Sequence, residues 1–125
     1  IEGMFNVFEI VTARGSKISD IQICGKTGTE ENFKRNNVER IQFTYHSIFI
    51  YFAPKNDPKI AIAVFVENGY WGSRWAAPIA SLMIERYIKG EIKRDWLEKR
   101  MLEGSLEEEY NKQLEIENYV AQKEE

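Results

Sequence analysis

The sequence predicts an α+β domain, a three-stranded antiparallel sheet with helices packed on one face, followed by a charged helical tail. Three observations lead there. Three strand-like segments lie between residues 21 and 67, the last two joined by the proline turn "PKNDP" at Pro54–Pro58. A helical apolar stripe follows at 79–88, and beyond it Glu103–Glu125 holds eight Glu and only two Lys.

The elements follow in order. Met4, Val7, Phe8 and Val11 recur at helical spacing and predict a short opening helix, ended by a loop at Thr12–Ser16 that contains Gly15. Ile21, Ile23 and Gly25 alternate with Gln22, Cys24 and Lys26, a period of two that predicts strand one up to Gly28, with a polar loop from Glu30 to about Arg40. "SIFIYFA", Ser47–Ala53, is rich in aromatic and β-branched residues and predicts strand two. The turn at Pro54–Pro58 folds it back, because proline presets φ while Asn and Asp tolerate turn geometry.

In "KIAIAVFVE", Lys59–Glu67, one face is Ile60, Ile62, Val64 and Val66, and the other is Ala61, Ala63 and Phe65. The small alanines predict that a helix approaches on their side. Ile79, Ala80, Met83, Ile84, Tyr87 and Ile88 form that helix's apolar stripe, with Pro78 tolerable only in its first turn and Gly90 suited to its end. The tail, with sparse apolar positions at Leu106, Tyr110 and Leu114, predicts a solvated helix at best. The organisation expected is residues 1–90 as one subdomain and 91–125 as the tail.

Composition narrows the function classes. The 125 residues, 43% hydrophobic, suffice for one core. Seventeen Lys and Arg against 20 Asp and Glu give a net charge of -3, so no broad basic field exists and nucleic acid is not an expected partner. The single Cys24, between apolar neighbours, reads as a buried thiol. No apolar run approaches the roughly 20 residues that span a bilayer. Ile1 in place of a methionine, with Met4 inside a periodic segment, predicts a piece of a longer protein.

The chemistry concentrates at "GKTGT", Gly25–Thr29. "GKT" matches the end of a phosphate-binding G-x-x-x-x-G-K-[ST] loop, but the first glycine that loop needs falls on Asp20, whose charge and Cβ oppose phosphate. The alternative is a Lys-Thr-Gly element on a strand beside an acylating serine. His46, the only histidine, has no Cys or second His with which to share a metal, so no metal site is expected. A hydrogen-bonded strand histidine near Lys26 is the simpler expectation, a site wall the other. Trp71 and Trp75 in "GYWGSRW" read as loop packing, and Asp20, Glu30 and Glu31 as solvated carboxylates.

Four blocks in order, "GKTGT" at 25–29, "HSIFIYFAP" at 46–54, "KIAIAVFVENG" at 59–69 and "AAPIASLMIERY" at 76–87, carry a family resemblance. The chain resembles the C-terminal part of the transpeptidase domain of class B penicillin-binding proteins, of the penicillin-binding protein 2 type found in Bacteroidetes-like bacteria. It departs from the family pattern at Tyr45, where an acidic residue or Asn is common, at Ile48, where Trp is common, and at Tyr51, where a small residue is usual.

The resemblance implies a fragment of the serine β-lactamase/transpeptidase-like fold. It assigns catalytic roles to Lys26, Thr27 and Gly28, with Thr27 hydrogen-bonding the carboxylate of a D-alanyl terminus or β-lactam and Lys26 supplying positive charge. The backbone N–H of Thr29 becomes an oxyanion-hole donor, and Gly28 leaves a gap for an extended peptide. The partners implied are peptidoglycan stem peptides and β-lactams, with no cofactor.

No nucleophile accompanies the motif. Ser16, Ser19, Ser47, Ser73, Ser81 and Ser105 all lack a lysine three positions on, and Ser-x-Asn is absent. The expectation is half an active site in an isolated chain that does not acylate. The parent would act on the periplasmic side of the bacterial inner membrane, through an anchor outside this chain. A non-catalytic binding or sensory module for cell-wall peptide is the alternative. A cut domain also predicts exposed apolar surface and homo-oligomers.

Overall fold

A computed structural model describes residues 14–35, 40–42, 44–112, 115 and 122. The opening helix expected at Met4–Val11 and the apolar position at Leu114 lie outside the described residues. The described residues include five strands: β1 (Cys24–Glu30), β2 (Phe33–Arg35), β3 (Arg40–Gln42), β4 (His46–Ala53) and β5 (Ile60–Val66). Strands β1, β4 and β5 form the expected three-stranded antiparallel sheet in the order β1-β4-β5. Strands β2 and β3 pair as a separate ribbon where a plain polar loop was expected.

The hairpin between β4 and β5 turns through Pro54–Pro58, with Asp57 in the left-handed region at φ 61° and the Lys59 N–H donating to the Ala53 carbonyl at 2.8 Å. Aspartate tolerates that conformation better than most residues. Register places Ser47, Phe49, Tyr51 and Ala53 beside Val66, Val64, Ile62 and Ile60 on one face. That face is the core, closed from above by Ala76, Ala77, Ala80 and Ile84 and at one end by Ile18, Ile21 and Ile23. Cys24 is buried, as the sequence predicts.

The helix α1 (Ala76–Lys89) approaches the sheet on the opposite side from the one expected. It lies on the Ile60–Val66 branched face, while Ala61, Ala63 and Phe65 stay exposed. The small residues that permit close approach belong to the helix, Ala76, Ala77 and Ala80, and not to the strand.

Its buried stripe is also rotated from the expected one. Met83 and Tyr87 are 51% and 63% exposed, whereas Ser81 and Glu85 are buried. Both polar groups are satisfied there. The Ser81 hydroxyl donates to the Ser16 carbonyl at 2.7 Å, and Glu85 accepts from Arg94 at 2.9 Å with Lys89 at 3.8 Å. The helix ends at Gly90 in the left-handed conformation, φ 79°, whose N–H caps the Arg86 carbonyl.

Beyond Gly90, α2 (Asp95–Glu103) packs against α1 with Leu97 buried. Arg94, just before it, also donates to the carbonyls of Ser16 and Ser81, both at 3.1 Å. Residues 106–112 form a further helical stretch, entered through Ser105, whose hydroxyl accepts from the Glu108 N–H at 3.4 Å. This part of the tail is docked on the body and not merely solvated.

Candidate active-site strand

The residues singled out by sequence, Lys26, Thr27, Gly28 and Thr29, lie together on β1, at one edge of the three-stranded sheet. They are in extended backbone and not at a helix N-terminus, which removes the phosphate-loop alternative. In an antiparallel pair, every second residue of an edge strand turns its N–H and C=O away from its neighbour, so β1 presents backbone groups that an added extended segment can meet.

Side chains alternate along this edge. Register pairs Lys26 with Ile50, Gly28 with Ile48 and Glu30 with His46 on the outer face, and Thr27 with Phe49 and Thr29 with Ser47 on the α1 side. Lys26 and Thr29 are exposed, and Thr27 and Gly28 half-buried. The Lys26 ammonium turns back to donate to the Thr27 carbonyl at 2.8 Å, which keeps the charge at the strand edge.

The glycines on β1 differ in kind. A Cβ at Gly25 would lie 2.6 Å from the Phe49 ring and 2.9 Å from the Ile50 carbonyl, so core packing dictates that glycine. A Cβ at Gly28 would meet only the Ile48 side chain, at 3.3 Å and beyond. Internal packing places far less demand on Gly28.

His46 lies four residues along β4 from Ile50, the partner of Lys26, so it is not the neighbour of Lys26 that was expected. It is fixed by the Asn68 N–H, which donates to Nδ1 at 2.9 Å, and its ring tilts against Phe65. Among the described residues, no three His, Cys, Asp or Glu side chains converge as a metal site. Tyr51, one of the departures from the family pattern, lies in the core. Its hydroxyl donates to the Ala77 carbonyl of α1, and burial pushes the phenol well above its ordinary range.

Two residues that sequence reasoning passed over shape the strand from the α1 side. The Ser47 hydroxyl donates to the Trp71 carbonyl at 3.0 Å and accepts from the Ala76 N–H at 3.3 Å, tying the loop at 67–75 to β4. Gly72 sits directly on the strand: a Cβ there would lie 2.7 Å from the Ile48 carbonyl, 3.1 Å from the Gly28 carbonyl and 3.2 Å from Thr27 Cβ. The Trp pair, expected to pack the loop, divides. Trp75 is buried, and Trp71 is 60% exposed and stacks on Tyr45 at 5.9 Å. The glycine at position 72, between two aromatics, was the available signal.

Residues 2–85 match the family described as the penicillin binding protein transpeptidase domain. The chain belongs to that family. Among its relatives, the peptidoglycan D,D-transpeptidase PbpA of Mycobacterium tuberculosis is 38% identical over 88 residues, 66% of this chain and 17% of that protein. The peptidoglycan D,D-transpeptidase MrdA of Acinetobacter baumannii is 36% identical over 94 residues, 70% of this chain and 14% of that protein.

The solved structure of M. tuberculosis penicillin-binding protein A as a ceftriaxone acyl-enzyme complex superposes with a TM-score of 0.59 at 36% identity, covering 70% of this chain and 20% of that one. The D,D-transpeptidase domain from Eggerthella lenta gives a TM-score of 0.51 at 26% identity, covering 71% and 19%. This transpeptidase-domain segment thus spans about one-sixth of the length of the curated relatives it matches.

Proposed function

We propose that β1 is the substrate-binding edge of a peptidoglycan D,D-transpeptidase, and that the acylating serine comes from polypeptide outside this chain. The observation that carries the reading is an exposed sheet edge on which Lys26, Thr27, Gly28 and Thr29 stand in succession, in a chain of the transpeptidase family. An extended D-alanyl peptide or a β-lactam lies along the edge through main-chain hydrogen bonds. The Thr27 hydroxyl donates to its carboxylate, and the Lys26 ammonium, released from the Thr27 carbonyl, supplies the balancing charge. The Thr29 N–H stabilises the oxyanion formed when the serine attacks, and Gly28 leaves the strand bare where the substrate passes. His46 lines the far end of this wall.

In its parent, the segment works on the periplasmic side of the bacterial inner membrane on stem peptides, and β-lactams compete for the same edge. Residues 1–90 contribute the strand, and 91–125 are an appended tail, helical at 95–103 and 106–112. Expressed alone, the chain self-associates through apolar side chains left bare on the outer sheet face, such as Ile50 and Phe65.

Fluorescent penicillin tests the reading. The 125-residue chain alone is expected to remain unlabelled, while a longer polypeptide that also carries a Ser-x-x-Lys sequence is labelled. In that longer protein, Thr27→Val is expected to slow acylation roughly ten- to a hundredfold, the loss typical of a hydrogen bond to a charged group. Stoichiometric labelling of the short chain, or unchanged acylation in Thr27→Val, would refute the assignment.

A further inference from the structure

The tail residues 104–112 grip the loop that lies on the Lys-Thr-Gly strand, although the family match ends at residue 85. Two independent grips are present. In the first, Glu109 Oε2 accepts from Arg74 Nε at 2.7 Å and from Trp75 Nε1 at 3.1 Å. The Trp75 ring also lies so close to Gly104 that a Cβ there would fall 2.5 Å from it. In the second grip, the Tyr110 hydroxyl donates to the Asn68 carbonyl, and its ring sits 5.2 Å from that of Tyr70. Arg100 of α2 adds a hydrogen bond to the Arg74 carbonyl at 3.2 Å.

Each gripped residue is within a few positions of Gly72, whose backbone rests on Gly28, Thr27 and Ile48. The loop is also anchored at β4 and just before it, by Tyr70 N–H to the Tyr45 carbonyl at 3.0 Å and Ser47 to Trp71. Burial raises the Glu109 pKa, but the Arg74 and Trp75 hydrogen bonds and the charges of Arg74 and Arg100 outweigh it and hold the carboxyl below its ordinary range. The group is therefore ionised and paired at neutral pH. Asn68, a further contact of the tail, also fixes His46 and accepts from Asn32 at 2.7 Å. One short helical stretch thus reaches both ends of the loop.

We propose that residues 104–112 are a clasp that sets the position of the Lys-Thr-Gly strand by pressing the 67–75 loop onto it, with Glu109 and Tyr110 as positioning residues. That the strand matters for substrate rests on the functional reading above; the mechanical linkage does not.

Amide hydrogen exchange on the 125-residue chain tests the linkage. Glu109→Ala is expected to speed exchange about tenfold at 70–76 and at 26–29, while Phe49 on the central strand β4 keeps its wild-type rate. Glu109→Gln, which retains an acceptor for Trp75 and loses the charge, is expected to give a smaller acceleration in the same two segments. Tyr110→Phe loosens the other end of the loop. Acceleration confined to 70–76, or spread evenly over β4 and β5 in both Glu109 variants, would overturn the proposal.

In the longer polypeptide with a nucleophile, Glu109→Ala should reduce penicillin acylation several-fold, and full acylation would count against the clasp. If Thr27→Val leaves acylation unchanged while exchange at 26–29 still responds to Glu109, the functional reading fails and the clasp stands.

Discussion

Replacing Gly25 and Gly28 by alanine, one at a time, separates packing from function on a single strand. At Gly25, the added methyl collides with Phe49, with the Ile50 carbonyl and with the Tyr51 ring, at 2.6, 2.9 and 2.9 Å, on the core face where nothing is free to move. Overpacking of this kind costs about 1–3 kcal/mol, and the stiffer unfolded chain returns roughly 0.4–1 kcal/mol. The net loss expected for Gly25→Ala is about 1–2 kcal/mol, or a fall in Tm of about 4–8 °C for a domain of this size.

At Gly28, the only nearby atoms belong to the Ile48 side chain on the outer face, at 3.3 Å or more. A shift of a few tenths of an ångström relieves that contact, so Gly28→Ala is expected within roughly 0.5 kcal/mol of wild type. Thermal and urea unfolding of the two variants provide the measurement. If Gly28→Ala proves as destabilising as Gly25→Ala, folding already explains the third residue of the motif. Its bareness then carries no information about what lies against the strand.

Two further outcomes follow from the buried polar groups. Tyr51→Phe removes the bond to the Ala77 carbonyl and is expected to cost about 1 kcal/mol in urea unfolding. Because burial raises the Tyr51 pKa in the folded state, its contribution is complete below the unfolded phenol pKa near 10 and is lost as pH rises beyond it. Wild-type stability should therefore fall above about pH 10 more steeply than that of Tyr51→Phe, and parallel curves would refute the assignment. Glu85→Ala leaves Arg94 largely buried without its carboxylate and is expected to cost about 3–5 kcal/mol; a loss under about 1 kcal/mol would show that water already solvates the guanidinium.

What was legible in the sequence was local. β4 announced itself through "SIFIYFA", the hairpin through Pro54–Pro58, the end of α1 through Gly90, and the motif strand through "GKTGT". Alternation along β5 showed that two faces exist, but both are apolar, so it could not say which one meets the helix. The stripe on α1 was misjudged because Ser81 and Glu85 look like solvent positions until Ser16 and Arg94 satisfy them from elsewhere in the chain. β2 and β3 hold three residues each in a charged segment, too short for a period to show. At the candidate site, the motif could be read directly. The seating of Gly72 on Thr27 and the reach of Glu109 to Arg74 span 45 and 35 residues, and no spacing rule relates positions so far apart.

The Arg94 side chain also staples together stretches that are far apart in the chain. Its guanidinium meets the Ser16 carbonyl 78 residues back in the chain and the Glu85 carboxylate nine residues back. With its bond to the Ser81 carbonyl, it joins the segment that precedes the sheet to the helix that covers it. A chain cut after Gly90 is expected to keep Lys89, at 3.8 Å from Glu85, but to lose this staple and with it part of the grip of α1 on β4.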